Sequence, residues 1–183
     1  RDLKPANILV GEHGETVVID WGLAKDTTGE IADDLLAQDD RQGEGAEATM
    51  TDVGAVLGTL RYMPPEQARG ESVDARSDVF ALGAVLFHVL AGRPPHEASD
   101  RAALLERLRR GQVELLRPLV PEAPPDLVAI AQKAMSPAPG DRYPGAEAFA
   151  EDLRRFLAGR LVDAHRYGPG DLLRVWLRGH RAV

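Results

Sequence analysis

Four residues near the start of the chain carry side chains able to handle a charged ligand: Asp2, Lys4, Asn7 and Asp20. Between the last two, Ile8-Leu9-Val10 and Thr16-Val17-Val18-Ile19 flank Gly11-Glu12-His13-Gly14-Glu15, a spacing and turn chemistry that predict a β-hairpin. In an antiparallel pair, the residue entering the first strand and the residue leaving the second lie at the same end. Asn7 and Asp20 are therefore expected to be neighbours, with Asp2 just upstream. Two carboxylates and an amide gather at one edge of a small sheet. Taken singly, the same residues have plainer uses. Asp2 and Asn7 can cap a turn, and Asp20-Trp21-Gly22 can be a hairpin exit.

The elements behind that edge must come from a chain of 183 residues and 19.8 kDa, enough for one core or one lobe of a larger domain. With 44% hydrophobic and 28% charged residues it should fold and dissolve. The net charge of −7 argues against a nucleic-acid binder, and zero cysteines exclude disulfides, thiolate metal sites and thiol catalysis, which suits a reducing cytoplasm. No leader follows Arg1, and the longest nearly uncharged apolar run, residues 79–92, is too short to span a bilayer. The chain reads as a fragment.

Residues 26–52 hold nine acidic residues against Arg41 and read as a mobile loop. A helix is expected over 78–91, apolar on every side and hence central, with Ser77 or Asp78 as its cap. Three one-faced helices follow. Ser99 or Asp100 opens the first, with Leu104, Leu105 and Leu108; Pro125 and Asp126 open the second, with Leu127, Ile130, Ala131 and Ala134; Phe149, Leu153, Phe156 and Leu157 mark the third. His88, on the apolar helix, reads as a satisfied core histidine, and His13, at the hairpin tip, as surface. The fold class is α+β, a mainly helical body carrying a small hairpin. Residues 160–183 carry five arginines against Asp163 and Asp171 and end in an amphipathic stretch with a basic edge.

Arg1-Asp2-Leu3-Lys4-Pro5-Ala6-Asn7 matches the R-D-L-x-x-x-N catalytic loop of protein kinases, and Asp20-Trp21-Gly22 stands where D-F-G would follow. Gly58-Thr59 precedes Pro64-Pro65-Glu66, which resembles A-P-E. Residues 77–83 look like the start of the family's buried central helix, and Arg142 resembles the late arginine that pairs with the A-P-E glutamate. The chain thus resembles the C-terminal lobe of a protein kinase domain over residues 1–159, with an activation segment at 20–66. Lys4 is the serine/threonine form of the loop, and Gly58-Thr59-Leu60-Arg61-Tyr62-Met63-Pro64-Pro65-Glu66-Gln67 resembles bacterial serine/threonine kinases similar to eukaryotic ones.

The resemblance implies ATP-dependent phosphoryl transfer to serine or threonine hydroxyls of protein substrates, with Mg²⁺ or alternatively Mn²⁺. Asp2 would accept the hydroxyl proton, Lys4 would offset charge on the transferring group, and Asn7 and Asp20 would hold the metal. Thr59 would order the substrate-facing loop near Asp2 and Lys4. Asp78, Glu66 and Arg142 would be structural, the last two as a buried ion pair. Arg1 beside Asp2 implies binding of a phosphate on the activation loop, for which Thr49 and Thr51 are the candidates. In relatives of this style a basic juxtamembrane stretch, which 160–183 resembles, precedes a membrane span. That implies a cytoplasmic kinase, at the inner membrane's cytoplasmic face if such a span follows, and leaves room for a kinase dimer.

Trp21 replaces the phenylalanine of D-F-G, Pro64 the alanine of A-P-E, and the acidic loop is longer than the family's usual one. A complete kinase also needs a glycine-rich loop and a lysine on the ATP phosphates, and neither is in these 183 residues; Gly43-Glu44-Gly45 has no strand before it. The chain by itself is expected to transfer phosphate barely or not at all. The competing reading is a non-catalytic interaction or regulatory module, a truncated kinase or pseudokinase.

Overall fold

The computed structural model describes residues 3–20, 58–98 and 100–168. Arg1, Asp2, Trp21, Gly22, Thr49 and Thr51 lie outside them, as does the acidic loop. Strands β1 (Ile8–Val10) and β2 (Thr16–Val18) form the hairpin, paired antiparallel with Ile8 opposite Val18 and Val10 opposite Thr16. The turn closes through Gly11, whose N–H donates to the Glu15 carbonyl at 2.8 Å, while Gly14 takes a φ of 85° that glycine adopts without strain.

Among the described residues the hairpin is followed by helices α1 (Pro65–Ala68), α2 (Ala75–Ala91), α3 (Arg101–Arg109), α4 (Leu116–Leu119), α5 (Pro125–Ala134) and α6 (Ala146–Leu157). Helix α2 starts three residues before the sequence expectation. Its cap is Asp74, extended at φ −124°, which accepts the Arg76 N–H at 2.8 Å; Ser77 and Asp78 fall inside the first turn instead. Asp100 caps α3, accepting the Ala103 N–H at 2.8 Å, and α5 opens at Pro125, where a missing N–H costs nothing. The four-residue α4 was not expected from the pattern, because Pro118 sits inside it.

Helix α2 is the centre of the body. Phe80, Ala84 and Phe87 pack with Tyr62, Leu116, Val128, Ala131 and Met135. Val79, on another side of the same helix, meets Ile130, Ala134, Tyr143, Phe149 and Val162. Removing such side chains from water is worth about 1.5–3 kcal/mol each, which explains why a helix apolar on all sides ends up enclosed. Gly83 lets α5 come close: a Cβ there would lie 2.6 Å from the Ala134 Cβ and 2.9 Å from the Met135 Cγ. A third cluster, Leu60, Ala68, Leu104 and Leu108, ties the segment after residue 58 to α3.

Residues 160–168 fold back onto this body. The Asp152 carboxylate, 1% exposed, accepts the Asp163 N–H at 2.7 Å, the Ala164 N–H at 2.9 Å and the Tyr143 hydroxyl at 2.8 Å. Val162 is buried and its N–H donates to the Tyr167 hydroxyl; His165 contacts Asp126 at the start of α5. No helix among the described residues is long and apolar enough to cross a membrane.

Candidate active site

The hairpin brings Asn7 and Asp20 to one end. The Ile19 N–H donates to the Asn7 carbonyl at 2.9 Å, extending the ladder one step past Ile8–Val18, so that Asp20 follows directly. Asn7 closes a 3₁₀ turn, Pro5–Asn7, in which its N–H donates to the Lys4 carbonyl at 2.9 Å and Pro5 supplies a fixed φ. Asn7 is 6% exposed, whereas Asp20 is open to solvent. Asp20 also has the only positive φ of a non-glycine residue among the described residues, 62°. Aspartate tolerates the left-handed region better than most residues, and such conformations concentrate at functional sites.

An amide oxygen and a carboxylate oxygen are the donors a hard divalent ion prefers. Among the described residues no group of three His, Cys, Asp or Glu gathers that could cage a metal.

Lys4 reaches across the chain. Its ammonium donates to the Thr59 hydroxyl at 2.8 Å, over a separation of 55 residues. The turn that carries Thr59 is closed by the Tyr62 N–H, which donates to the Thr59 carbonyl at 3.2 Å. The catalytic-loop motif and the start of the segment before Glu66 are therefore joined by one charge-assisted hydrogen bond.

Below them, Glu66 and Arg142 form a buried two-pronged pair, with 2.7 Å and 2.8 Å between guanidinium nitrogens and carboxylate oxygens. Ser77 donates to the same carboxylate at 2.7 Å. Arg142 gives its remaining donors to the carbonyls of Ser136, Arg76 and Pro137 and lies over the Phe80 ring at 4.9 Å. Burial alone would push the Glu66 carboxyl up, but the hydrogen bonds from Arg142 and Ser77 outweigh it and hold the group below its ordinary value. The pair fixes the segment that ends at α1 against the core. Asp78 stands half-buried in the first turn of α2, at the positive end of the helix dipole.

Two side chains with a bearing on this site carry no motif. Tyr62, 8% exposed, hydrogen-bonds the His88 Nδ1 at 2.6 Å, with the rings stacked at 5.9 Å. His88 is thus a partnered histidine, and its partner is the turn that carries Thr59. Only the i to i+3 closeness of Thr59 and Tyr62 was visible beforehand; the reach to His88 crosses 26 residues.

A hairpin that ends in Asn7 and Asp20, a lysine bonded to a threonine across the chain, and a glutamate-arginine pair beneath a buried central helix together define the C-terminal lobe of a protein kinase. The chain belongs to the protein kinase domain family, whose model matches residues 1–153. It is 38% identical over 181 residues to the tyrosine-protein kinase MasK of Myxococcus xanthus, covering 98% of this chain and 24% of that protein. It is 38% identical over 165 residues to the serine/threonine-protein kinase PknB of Mycolicibacterium smegmatis, covering 90% of this chain and 24% of that protein. With PknB of Mycobacterium tuberculosis the figures are 37% over 169 residues, 90% and 24%. The chain therefore spans about a quarter of the length of the curated relatives it matches.

Proposed function

We propose that the protein containing this chain is a serine/threonine kinase that transfers the γ-phosphate of ATP to hydroxyls of protein substrates. The observation that carries the reading is the 2.8 Å bond from Lys4 to Thr59, which sets a cation and a loop hydroxyl side by side next to the hairpin end bearing Asn7 and Asp20. In this reading Asn7 and Asp20 hold Mg²⁺ or Mn²⁺, which would neutralise phosphate charge. Lys4 offsets charge on the transferring group, Asp2 takes the proton of the attacking hydroxyl, and Thr59 sets the loop against which the substrate lies. Arg1 binds a phosphate placed on Thr49 or Thr51. The kinase unit runs over residues 1–159, and Asp152 holds the segment that follows through the amides of Asp163 and Ala164. The basic stretch after it would face the cytoplasmic surface of a membrane.

The full-length gene product, incubated with labelled ATP, Mg²⁺ or Mn²⁺ and a protein acceptor, should yield phosphoserine and phosphothreonine, and Asp2→Asn should abolish the label. Because one relative is named a tyrosine-protein kinase, phosphoamino-acid analysis is the deciding readout. Phosphotyrosine as the main product would overturn the hydroxyl class. No transfer with either metal would favour a non-catalytic module.

A further inference from the structure

The strongest feature that the reading above leaves unused is the link between Tyr62 and His88. Helix α2 is the centre of the body, and His88 sits in its last turn, its carbonyl accepting the N–H of the left-handed cap Gly92 at 2.8 Å. The imidazole is thereby carried on a rigid support. Tyr62 lies among Phe80, Ala84 and Phe87, and a buried hydroxyl needs an acceptor to avoid a desolvation penalty. Its partner is the His88 Nδ1 at 2.6 Å, and which of the two donates depends on the imidazole tautomer. Burial raises the Tyr62 hydroxyl's pKa, against a smaller opposing effect of Arg61, so the phenol keeps its proton and can donate. With Tyr62 donating, the His88 Nδ1 offers its lone pair and the ring N–H is the one at Nε2.

The geometry points to His88 as a positioning residue for phosphoryl transfer, acting through Tyr62 on the turn whose Thr59 hydroxyl meets Lys4. This rests on the kinase reading above. Each step of the relay is a direct contact: His88 to Tyr62 at 2.6 Å, the Tyr62 N–H to the Thr59 carbonyl at 3.2 Å, and the Thr59 hydroxyl to the Lys4 ammonium at 2.8 Å. If Tyr62 loses its anchor, the turn can shift by the few tenths of an ångström that misplace the Thr59 hydroxyl. The effect should fall on the protein substrate rather than on ATP, because Asn7 and Asp20 are fixed separately by the hairpin ladder.

The experiment uses the full-length gene product and compares the wild type with Tyr62→Phe, His88→Leu, their double variant and His88→Asn, whose amide oxygen can replace the Nδ1 acceptor. Tyr62→Phe and His88→Leu should each raise KM for the protein substrate about tenfold, equivalent to about 1.4 kcal/mol. KM for ATP should not change, the double variant should be no worse than either single one, and His88→Asn should restore the wild-type value. Long-range ¹⁵N–¹H correlation should show the His88 Nδ1 unprotonated in the wild type. Additive losses, an equal rise in KM for ATP, or a protonated Nδ1 would overturn the proposal. If His88→Leu fails to fold, Tyr62→Phe, His88→Asn and the tautomer decide it. An inactive wild type would sink the kinase reading and the role of His88 with it, whereas an active wild type with additive variants would sink only the latter.

Discussion

His96 is the place where acid should enter this fold, and the size of the effect follows from its surroundings. The ring is 1% exposed and stacked face to face on Phe80, with centroids 6.0 Å apart and planes 2° from parallel. Neither ring nitrogen has a hydrogen-bond partner among the described residues. Burial, assisted by the positive charge of Arg107 and opposed by Glu114, pushes its pKa down to about 4 from the ordinary 6.5. The folded state therefore holds a neutral imidazole where the unfolded chain binds a proton. Above pH 6.5 the two states bind the same number of protons, and no stability is at stake. Below it the unfolded state takes up a proton first, so stability falls as pH drops and levels off once the folded ring is also protonated, near pH 4. With 1.36 kcal/mol per pKa unit, the loss amounts to about 2 kcal/mol by pH 5 and about 3 kcal/mol at the limit. His96→Phe keeps the stacked ring and removes two unpaired nitrogens, so it should add about 1–3 kcal/mol at pH 8. It should also remove most of the loss between pH 8 and pH 5. Urea unfolding of both proteins at the two pH values checks this. Glu66 does not interfere, because its depressed carboxyl pKa costs stability only below the ordinary 4.5. A variant no more stable than the wild type at pH 8, with the same loss on acidification, would refute the reasoning.

Glu66→Gln should cost about 3–5 kcal/mol, seen as a lower melting temperature, because it leaves the fully enclosed Arg142 guanidinium without its counter-ion; a loss under about 1 kcal/mol would show that the carbonyls of Ser136, Arg76 and Pro137 suffice. Asp152→Ala should free residues 160–168, so that the amides of Asp163 and Ala164 exchange hydrogen quickly while those of α2 stay protected; unchanged protection would mean that Val162 and Tyr167 hold the segment without the carboxylate.

The hairpin was legible because its signal is local: apolar runs of strand length around a glycine-containing turn place Asn7 beside Ile19 and Asp20 whatever the rest of the chain does. Helices α3, α5 and α6 were legible from apolar spacing, and α2 from apolar residues on every side. The cap of α2 was misplaced because Asp74, Ser77 and Asp78 are all competent caps. What chose among them was Glu66, which takes the Ser77 hydroxyl for itself. Helix α4 was missed because a proline inside four residues reads as a breaker, while the buried Leu116 that holds the turn in place is a tertiary fact. Asp152 gave no sign of clasping residues 160–168, since an acidic residue on a helix ordinarily faces solvent.

By itself the sequence determined the chemistry on offer: oxygen donors at a hairpin end, a lysine four residues into the chain, and a glutamate and arginine suited to pairing. Their types and near-neighbour spacing fix what each group can do. Only the tertiary structure decided which groups meet. Lys4 finds Thr59 across 55 residues, Arg142 finds Glu66 across 76, and Tyr62 finds His88 across 26. Contacts over such distances depend on how helices pack around α2, where the burial of apolar surface sets the arrangement and the polar partners follow it.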